Sequence, residues 1–329
     1  MRITFIKPGL LTTVQDLGRH GYLSQAVPVS GVMDTLSARL ANIAIGNDEN
    51  AAVLEFTYSG ATFRADDDML IAYSGEGACL SINNKILPSD RPVFIPQNSV
   101  VKSTGNALGI RTYLAVAGGW DVPEVLGSRS TYLPAAFGGL QGRAIHAGDV
   151  LNACEPSELN LKIFESLVSS KVHHQPWLVG KGLLSKAQRS VIRIMPAAEF
   201  RWFSGSSIAD LLTEPFTIGL ESDRMGYHME GRKIQRVRHD ELLSTAVAPG
   251  TIQVTGNGSM ILLMADCQTT GGYPRIAQVA AVDLPLCSQL KPGDAVYFEA
   301  ISRIEAEMLY IEREYLLKEI AASVRAKFL

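Results

Sequence analysis

The chain has 329 residues, 47% of them hydrophobic and 19% charged, with a formal net charge of -3. That length can fill one large or two medium cores, and the mild acidity provides no basic field to attract nucleic acid. The start reaches Lys7 and Pro8 too soon for a signal peptide, and the most apolar run, Met260 to Ala265, is far short of the roughly 18 residues a membrane span needs. The cysteines, Cys79, Cys154, Cys267 and Cys287, are scattered without a C-x-x-C pair, so reduced thiols, no metal site and a cytoplasmic setting are expected.

In chain order, runs rich in Val, Ile, Tyr and Phe predict strands at Arg2–Ile6, Val53–Tyr58, Met69–Ser74, Ala78–Ile82, Arg91–Ile95, Val100–Ser103 and Ile110–Ala117. Asn83-Asn84 suits a hairpin turn. Within this first set, Asp34 can cap a helix with Leu36, Leu40 and Ile43 on one face, stopped by Gly46. Glu155–Trp177 is polar and lacks strand alternation, and reads as a joint, with His173 and His174 as solvated linker residues. Strands resume at Val191–Met195, Phe216–Leu220, Thr251–Val254, Met260–Ala265 and Ala295–Phe298. A last helix spans about Ser302 to Lys327, with Ile304, Met308, Ile311 and Tyr315 forming its apolar stripe and glutamates on its other faces. The expected fold is therefore mainly β (a β-rich α+β chain), divided at 1–178, 179–300 and a terminal helix at 301–329.

The halves echo one another. Arg143-Ala-Ile-His-Ala-Gly-Asp149 resembles Gln289-Leu-Lys-Pro-Gly-Asp294, and Asp16-Leu-Gly-Arg-His-Gly-Tyr22 resembles Asp223-Arg-Met-Gly-Tyr227. Short matches of turn residues leave duplication and coincidence both open.

No G-x-x-x-x-G-K-[ST] loop, G-x-S-x-G elbow or H-E-x-x-H helix is present. No lysine sits between methionines as a biotin-bearing lysine would, so covalent biotin is not expected. Chemistry then falls to carboxylates, hydroxyls, backbone amides and a partner chain. Four segments concentrate such groups. In the first, Gln15, Asp16 and Arg19 lie among three glycines, either around a ligand or as a turn in which Asp16 binds its own amides. In the second, Ser128-Arg129-Ser130-Thr131 sets a guanidinium among hydroxyls, suited to a carboxylate or phosphate, or else forms a capped turn. The third, Ser222-Asp223-Arg224-Met225-Gly226, holds either a salt bridge or an acid kept ionised by arginine. The fourth, Asp266-Cys-Gln268-Thr269-Thr270-Gly271-Gly272-Tyr273, offers amides and hydroxyls fit for an oxyanion, with Asp266 as a proton acceptor. These segments are expected to share one cleft.

Several of these motifs, together with Ser30-Gly-Val-Met-Asp34, Leu40-Ala-Asn42, Tyr113-Leu-Ala-Val-Ala-Gly-Gly119, Leu126-Gly-Ser-Arg-Ser-Thr131 and Pro249-Gly-Thr-Ile-Gln253, resemble the family of allophanate hydrolase subunit 2 and the 5-oxoprolinase C subunit, in order along nearly the whole chain. The resemblance implies two cyclophilin-like β-barrel domains and action only in a complex with a smaller sister subunit (the B subunit, of kinase-inhibitor type) together with an A subunit. It implies ATP-dependent opening of a cyclic amide, 5-oxo-L-proline, to L-glutamate, with ATP as co-substrate of the complex. The alternatives it carries are carboxyl transfer to a urea-like amide from a separate biotin carrier, and non-catalytic antagonism of the sister subunit. On the leading reading Asp223, Asp266 and Thr270 are catalytic. Gln15, Asp16, Arg129, Ser130, Arg224, Gln268, Thr269, Gly271, Gly272 and Tyr273 contact the substrate. The chain departs from the family pattern at His228, Thr255-Gly256 and Cys267; a thiol in the last place puts in doubt any cation role in that loop.

Overall fold

The computed structural model describes residues 1–105, 108–168, 173–184, 190–238 and 240–329. Two compact units are present: Met1–Arg19, Asp34–Ser185 and Glu314–Leu329 in the first, His20–Met33 and Lys186–Arg313 in the second. A cut made along the sequence cannot anticipate the exchanged segment His20–Met33.

In the first unit a six-stranded sheet, ordered Val150–Asn152, Arg2–Pro8, Ala61–Ala65, Val100–Gly105, Ala78–Ile82, Lys85–Ile86, accompanies a five-stranded one, ordered Leu11–Gln15, Val53–Thr57, Arg111–Val116, Met69–Gly75, Val93–Ile95. Alternate residues of both sheets, among them Phe5, Phe63, Leu80 and Val101 from one and Leu54, Phe56, Ile71 and Leu114 from the other, fill a single core around Trp120. The opposite face of the five-stranded sheet packs against helix Thr35–Ala44. Both faces are thus covered, which is why Arg111–Val116 is buried throughout despite its polar members. Asp34 caps this helix as its spacing predicts, accepting from the Ser37 amide at 2.9 Å, and Leu36, Leu40 and Ile43 are buried. Asn83 and Asn84 both take positive φ (49° and 63°) in the expected hairpin turn.

The second unit is a closed barrel, ordered Val191–Pro196, Arg275–Val279, Thr251–Val254, Met260–Leu263, Gly226–Glu230, Phe216–Ile218, Ala295–Ala300. Parallel pairing of its first and last strands, Val191 opposite Tyr297 through Ile194 opposite Ala300, closes it. Ile192, Ile194, Phe216, Ile252, Val254, Leu262, Ile276 and Phe298 point inward. Every predicted strand is present. The strands Leu11–Gln15, Ala61–Ala65, Gly226–Glu230 and Arg275–Val279 lack a purely apolar run and were not expected.

Two helical expectations need correction. The segment 155–177 is not a polar joint: Glu158–Val168 is a helix with Leu159, Ile163 and Leu167 buried at four-residue steps. Residues 169–172 of that segment lie outside the described residues. The terminal helix runs Arg303–Phe328, but Ile304, Met308, Ile311 and Tyr315 face solvent, while Ala306, Arg313, Leu317 and Val324 are buried. Ala306 joins Ala280 and Ile301 in a small apolar cluster, and the Arg313 guanidinium donates to the Val282 carbonyl at 3.0 Å. An arginine whose stem packs and whose head caps carbonyls marks a buried face that an apolar pattern cannot reveal. Among the described residues no helix is long and apolar enough to cross a membrane.

The echo between the halves extends to geometry. Gly148 and Gly293 adopt nearly equal positive φ (88° and 91°), as a backbone without Cβ allows. The following Asp149 and Asp294 accept from the amides of His146 (2.7 Å) and Lys291 (3.1 Å). Asp16 and Asp223 likewise each accept from the amide two residues on, Gly18 at 2.8 Å and Met225 at 2.7 Å.

Candidate functional site

The predicted site residues assemble into two clusters, one in each unit. In the first, Asp16 follows strand Leu11–Gln15 and meets the Ser128–Thr131 loop. One carboxylate oxygen accepts from the Ser128 and Ser130 hydroxyls (2.6 and 2.5 Å) and the Gly18 amide, and the other from the Arg129 amide at 2.6 Å. The Asp16 amide in turn donates to the Ser130 hydroxyl. The Asp16, Ser128 and Ser130 side chains are buried and mutually committed, so the hydroxyls are turned to Asp16 rather than set around a guanidinium. The Arg129 side chain is half-buried, with Nε donating to the Val122 carbonyl at 3.2 Å. Gln15 is fully buried; its amide nitrogen donates to Thr13 Oγ1 and the Thr131 carbonyl. The Arg19 guanidinium donates to the Ser130 carbonyl and stacks 4.7 Å from the Phe137 ring.

A second polar feature of the same unit escaped sequence reasoning. The Tyr113 hydroxyl donates to Glu55 Oε2 at 2.8 Å and accepts from the Asp34 amide at 2.8 Å, tying the helix cap to the sheet. Burial, with the neighbouring Glu55 and Asp34 charges, pushes the Tyr113 hydroxyl far above its ordinary pKa. Tyr113 and Glu55 are cross-strand partners, and Arg111 lies 4.0 Å from Glu55. The legible signal is a glutamate among the apolar residues Val53, Leu54 and Phe56 of a strand.

In the second unit the hairpin loop before Gly226–Glu230 and the loop after Met260–Leu263 come together. Arg224 donates to both oxygens of Asp266, Nε at 2.8 Å and Nη2 at 3.0 Å, and also to the Gly31 carbonyl. The Ser30 hydroxyl donates to the same carboxylate at 2.5 Å, and the Asp266 amide donates to the Arg224 carbonyl. With Asp266 only 2% exposed, the two side chains serve one another and neither is presented to solvent, contrary to the expectation of a free base and a free cation. Ser30 and Gly31 were absent from the candidate residues, although their Ser-Gly-Val-Met-Asp motif stood out. Asp223 is exposed; its Oδ1 accepts from the amides of Met225 and Gly226 (2.7 and 3.2 Å) and no contact engages Oδ2 among the described residues.

The Gln268–Tyr273 segment folds back over Gln253. The Gln268 side chain donates to Gln253 Oε1, and Gln253 Nε2 donates to the Tyr273 carbonyl. Thr270–Gly271 pairs antiparallel with Thr245–Ala246, and the Thr269 carbonyl accepts from the Val247 amide. Thr270, Gly272 and Tyr273 remain exposed, so hydroxyl and backbone groups stand at the surface of this turn. Cys267, in the place of an expected cation, is buried, and burial beside Asp266 pushes its thiol up to about 12. It is a neutral filler of a small apolar cluster with Val247 and Leu263. Among the described residues no group of acidic, histidine or cysteine side chains could hold a metal ion.

The fold is thus that of a β-rich chain of two units, the second a closed barrel, and the second unit carries an exposed aspartate, a turn with exposed hydroxyl and backbone groups, and a buried arginine–carboxylate pair. The chain is a member of the carboxyltransferase domain family, subdomains A and B, whose family model matches residues 25–300. It is 34% identical over 321 residues to the C subunit of 5-oxoprolinase from Escherichia coli (strain K12), covering 97% of each chain. It is also 34% identical to the C subunit of 5-oxoprolinase from Haemophilus influenzae, covering 96% of each. Among solved structures, the urea amidolyase of K. lactis superposes with a TM-score of 0.86 at 28% identity, over 97% of this chain and 20% of that one.

Proposed function

We propose that this chain is the C subunit of a heteromeric, ATP-dependent 5-oxoprolinase, active only with an A subunit plus a smaller, B-type one. The observation that carries the reading is 34% identity extending over 97% of both this chain and the Escherichia coli C subunit. An unstrained lactam is a poor electrophile. Phosphoryl transfer from ATP to its oxygen releases ADP and opens the ring carbon to water; the adduct expels the ring nitrogen, which takes up a proton, and leaves an acyl phosphate that a second water hydrolyses to the carboxylate and phosphate. Asp223 is the proton acceptor for the first water, because its carboxylate is exposed and keeps one oxygen outside the turn. The Thr269–Gly272 turn donates to the oxyanion, with the Thr270 hydroxyl foremost. Arg224 and Asp266 hold the two loops in register.

The superposition on urea amidolyase favours a second reading, carboxyl transfer to a urea-like amide from a separate biotin carrier. Supplying the reconstituted assembly with 5-oxo-L-proline and ATP, or with urea and a carboxybiotin carrier, separates the two. Phosphate and glutamate release with the first pair supports the lactam reading; carboxylated urea from the second pair alone replaces it.

A further inference from the structure

The terminal helix Arg303–Phe328 has two apolar faces. One is buried through Ala306, Leu317 and Val324; the other carries Ile304, Met308, Ile311 and Tyr315, which are 70, 59, 53 and 64% exposed. Spacings of four, three and four residues define a d-a-d-a seam of a heptad repeat, about 16 Å long at 1.5 Å per residue. Four large apolar side chains aligned on one exposed seam are more than the scattered apolar residues of an ordinary surface. The e and g positions beside this seam are Glu305, Glu307, Glu312 and Glu314, without exception acidic. Glu314 is bound by Arg39 at 2.7 and 2.8 Å, and Glu307 by Arg303 on the helix surface at 2.6 Å. Glu305, Glu307 and Glu312 are all solvent-exposed.

We infer that this face docks an amphipathic helix of a different polypeptide, one whose own apolar seam is flanked by lysine or arginine. The inference rests on the reading of the chain as one subunit of a heteromeric assembly, and adds the surface and the chemistry of the partner. The flanks themselves argue against a second copy of this chain. Parallel pairing of two such seams sets Glu307 of one copy against Glu312 of the other, and antiparallel pairing sets e against e and g against g, again glutamate against glutamate. Like charges so placed are repelled, whereas a basic-flanked partner is attracted. The buried face holds the helix formed beforehand, so the partner does not bear the cost of ordering it. Lys318, at the next d position, ends the seam and limits the contact to about two heptads.

The test is a calorimetric titration of the full-length chain against its purified sister subunits. One variant combines Glu305→Lys, Glu307→Lys and Glu312→Lys; a second combines Ile304→Ser, Met308→Ser and Ile311→Ser. Each is expected to weaken binding about tenfold or more, with wild-type binding also weakening as salt rises. Because the altered side chains are exposed, the circular dichroism spectrum and melting temperature stay near those of the wild type. Wild-type affinity in either variant overturns the inference, as does self-association of the wild type that the serine variant abolishes. If the variants bind normally while the assembly turns over 5-oxo-L-proline, the inference fails and the proposed function stands. If docking depends on the seam but no turnover is found, the proposed function fails and the inference stands. A wild-type chain that binds no sister subunit removes both.

Discussion

Arg224 closes on Asp266 through two hydrogen bonds of 2.8 and 3.0 Å, and the Ser30 hydroxyl completes the same carboxylate from a distant part of the chain. Asp266→Asn keeps the shape but leaves a buried guanidinium without its counter-charge, at an expected cost of about 3–5 kcal/mol. Arg224→Met combined with Asp266→Leu should cost less than the single change, because it removes both charges together. Urea unfolding midpoints of the three proteins check this. A single variant as stable as the wild type would refute the pair's structural role.

Asp223→Asn is expected to behave in the opposite way. Asparagine retains the oxygen that accepts from Met225 and Gly226, so the turn and the urea midpoint should be preserved. Turnover by the assembled complex should fall about 10²–10⁴-fold, the usual loss for a general base. Activity kept at more than about half of the wild-type level excludes Asp223 from that role.

The sequence made the strand-rich fold readable because its apolar runs and turn residues alternate at strand length, and the Asp34 cap announced its helix. The inner arrangement of the site was less legible. Asp16 and Asp266 looked alike, each an acid in a glycine-rich loop, yet a residue's hydrogen-bond partners depend on contacts far along the chain. Ser130 reaches Asp16 across 114 residues and Ser30 reaches Asp266 across 236. The terminal helix misled for a related reason. Its most regular apolar stripe faces outward, while its buried side includes Arg313.

Glu199 supplies a pH signature. The Arg275 guanidinium donates to both of its oxygens (2.7 and 2.8 Å) and holds its carboxyl below the usual glutamate range, against the upward effect of burial. A depressed folded-state pKa means the unfolded chain binds the proton first, so this contribution is complete above the unfolded value of about 4.3 and lost as pH falls through the lower folded value. The urea midpoint should therefore drop below about pH 4.3, and Glu199→Gln should flatten that drop. An identical slope in the variant contradicts the assignment.

The thiols should divide by burial. Cys79 and Cys154 are half-buried, while Cys267 and Cys287 are buried with thiols pushed up by that burial. A thiol-disulfide reagent at neutral pH is expected to titrate only Cys79 and Cys154 in the folded chain, and all four after denaturation. Rapid labelling of Cys267 in the native protein would show that its loop opens.

The most direct test of the proposed function is conversion of 5-oxo-L-proline to L-glutamate, with phosphate release from ATP, by the reconstituted complex with and without this chain. Glutamate and phosphate should form together only when the complete set of chains is present, and the isolated chain should be inactive. Equal conversion when this chain is left out, or turnover by this chain alone, would contradict the account.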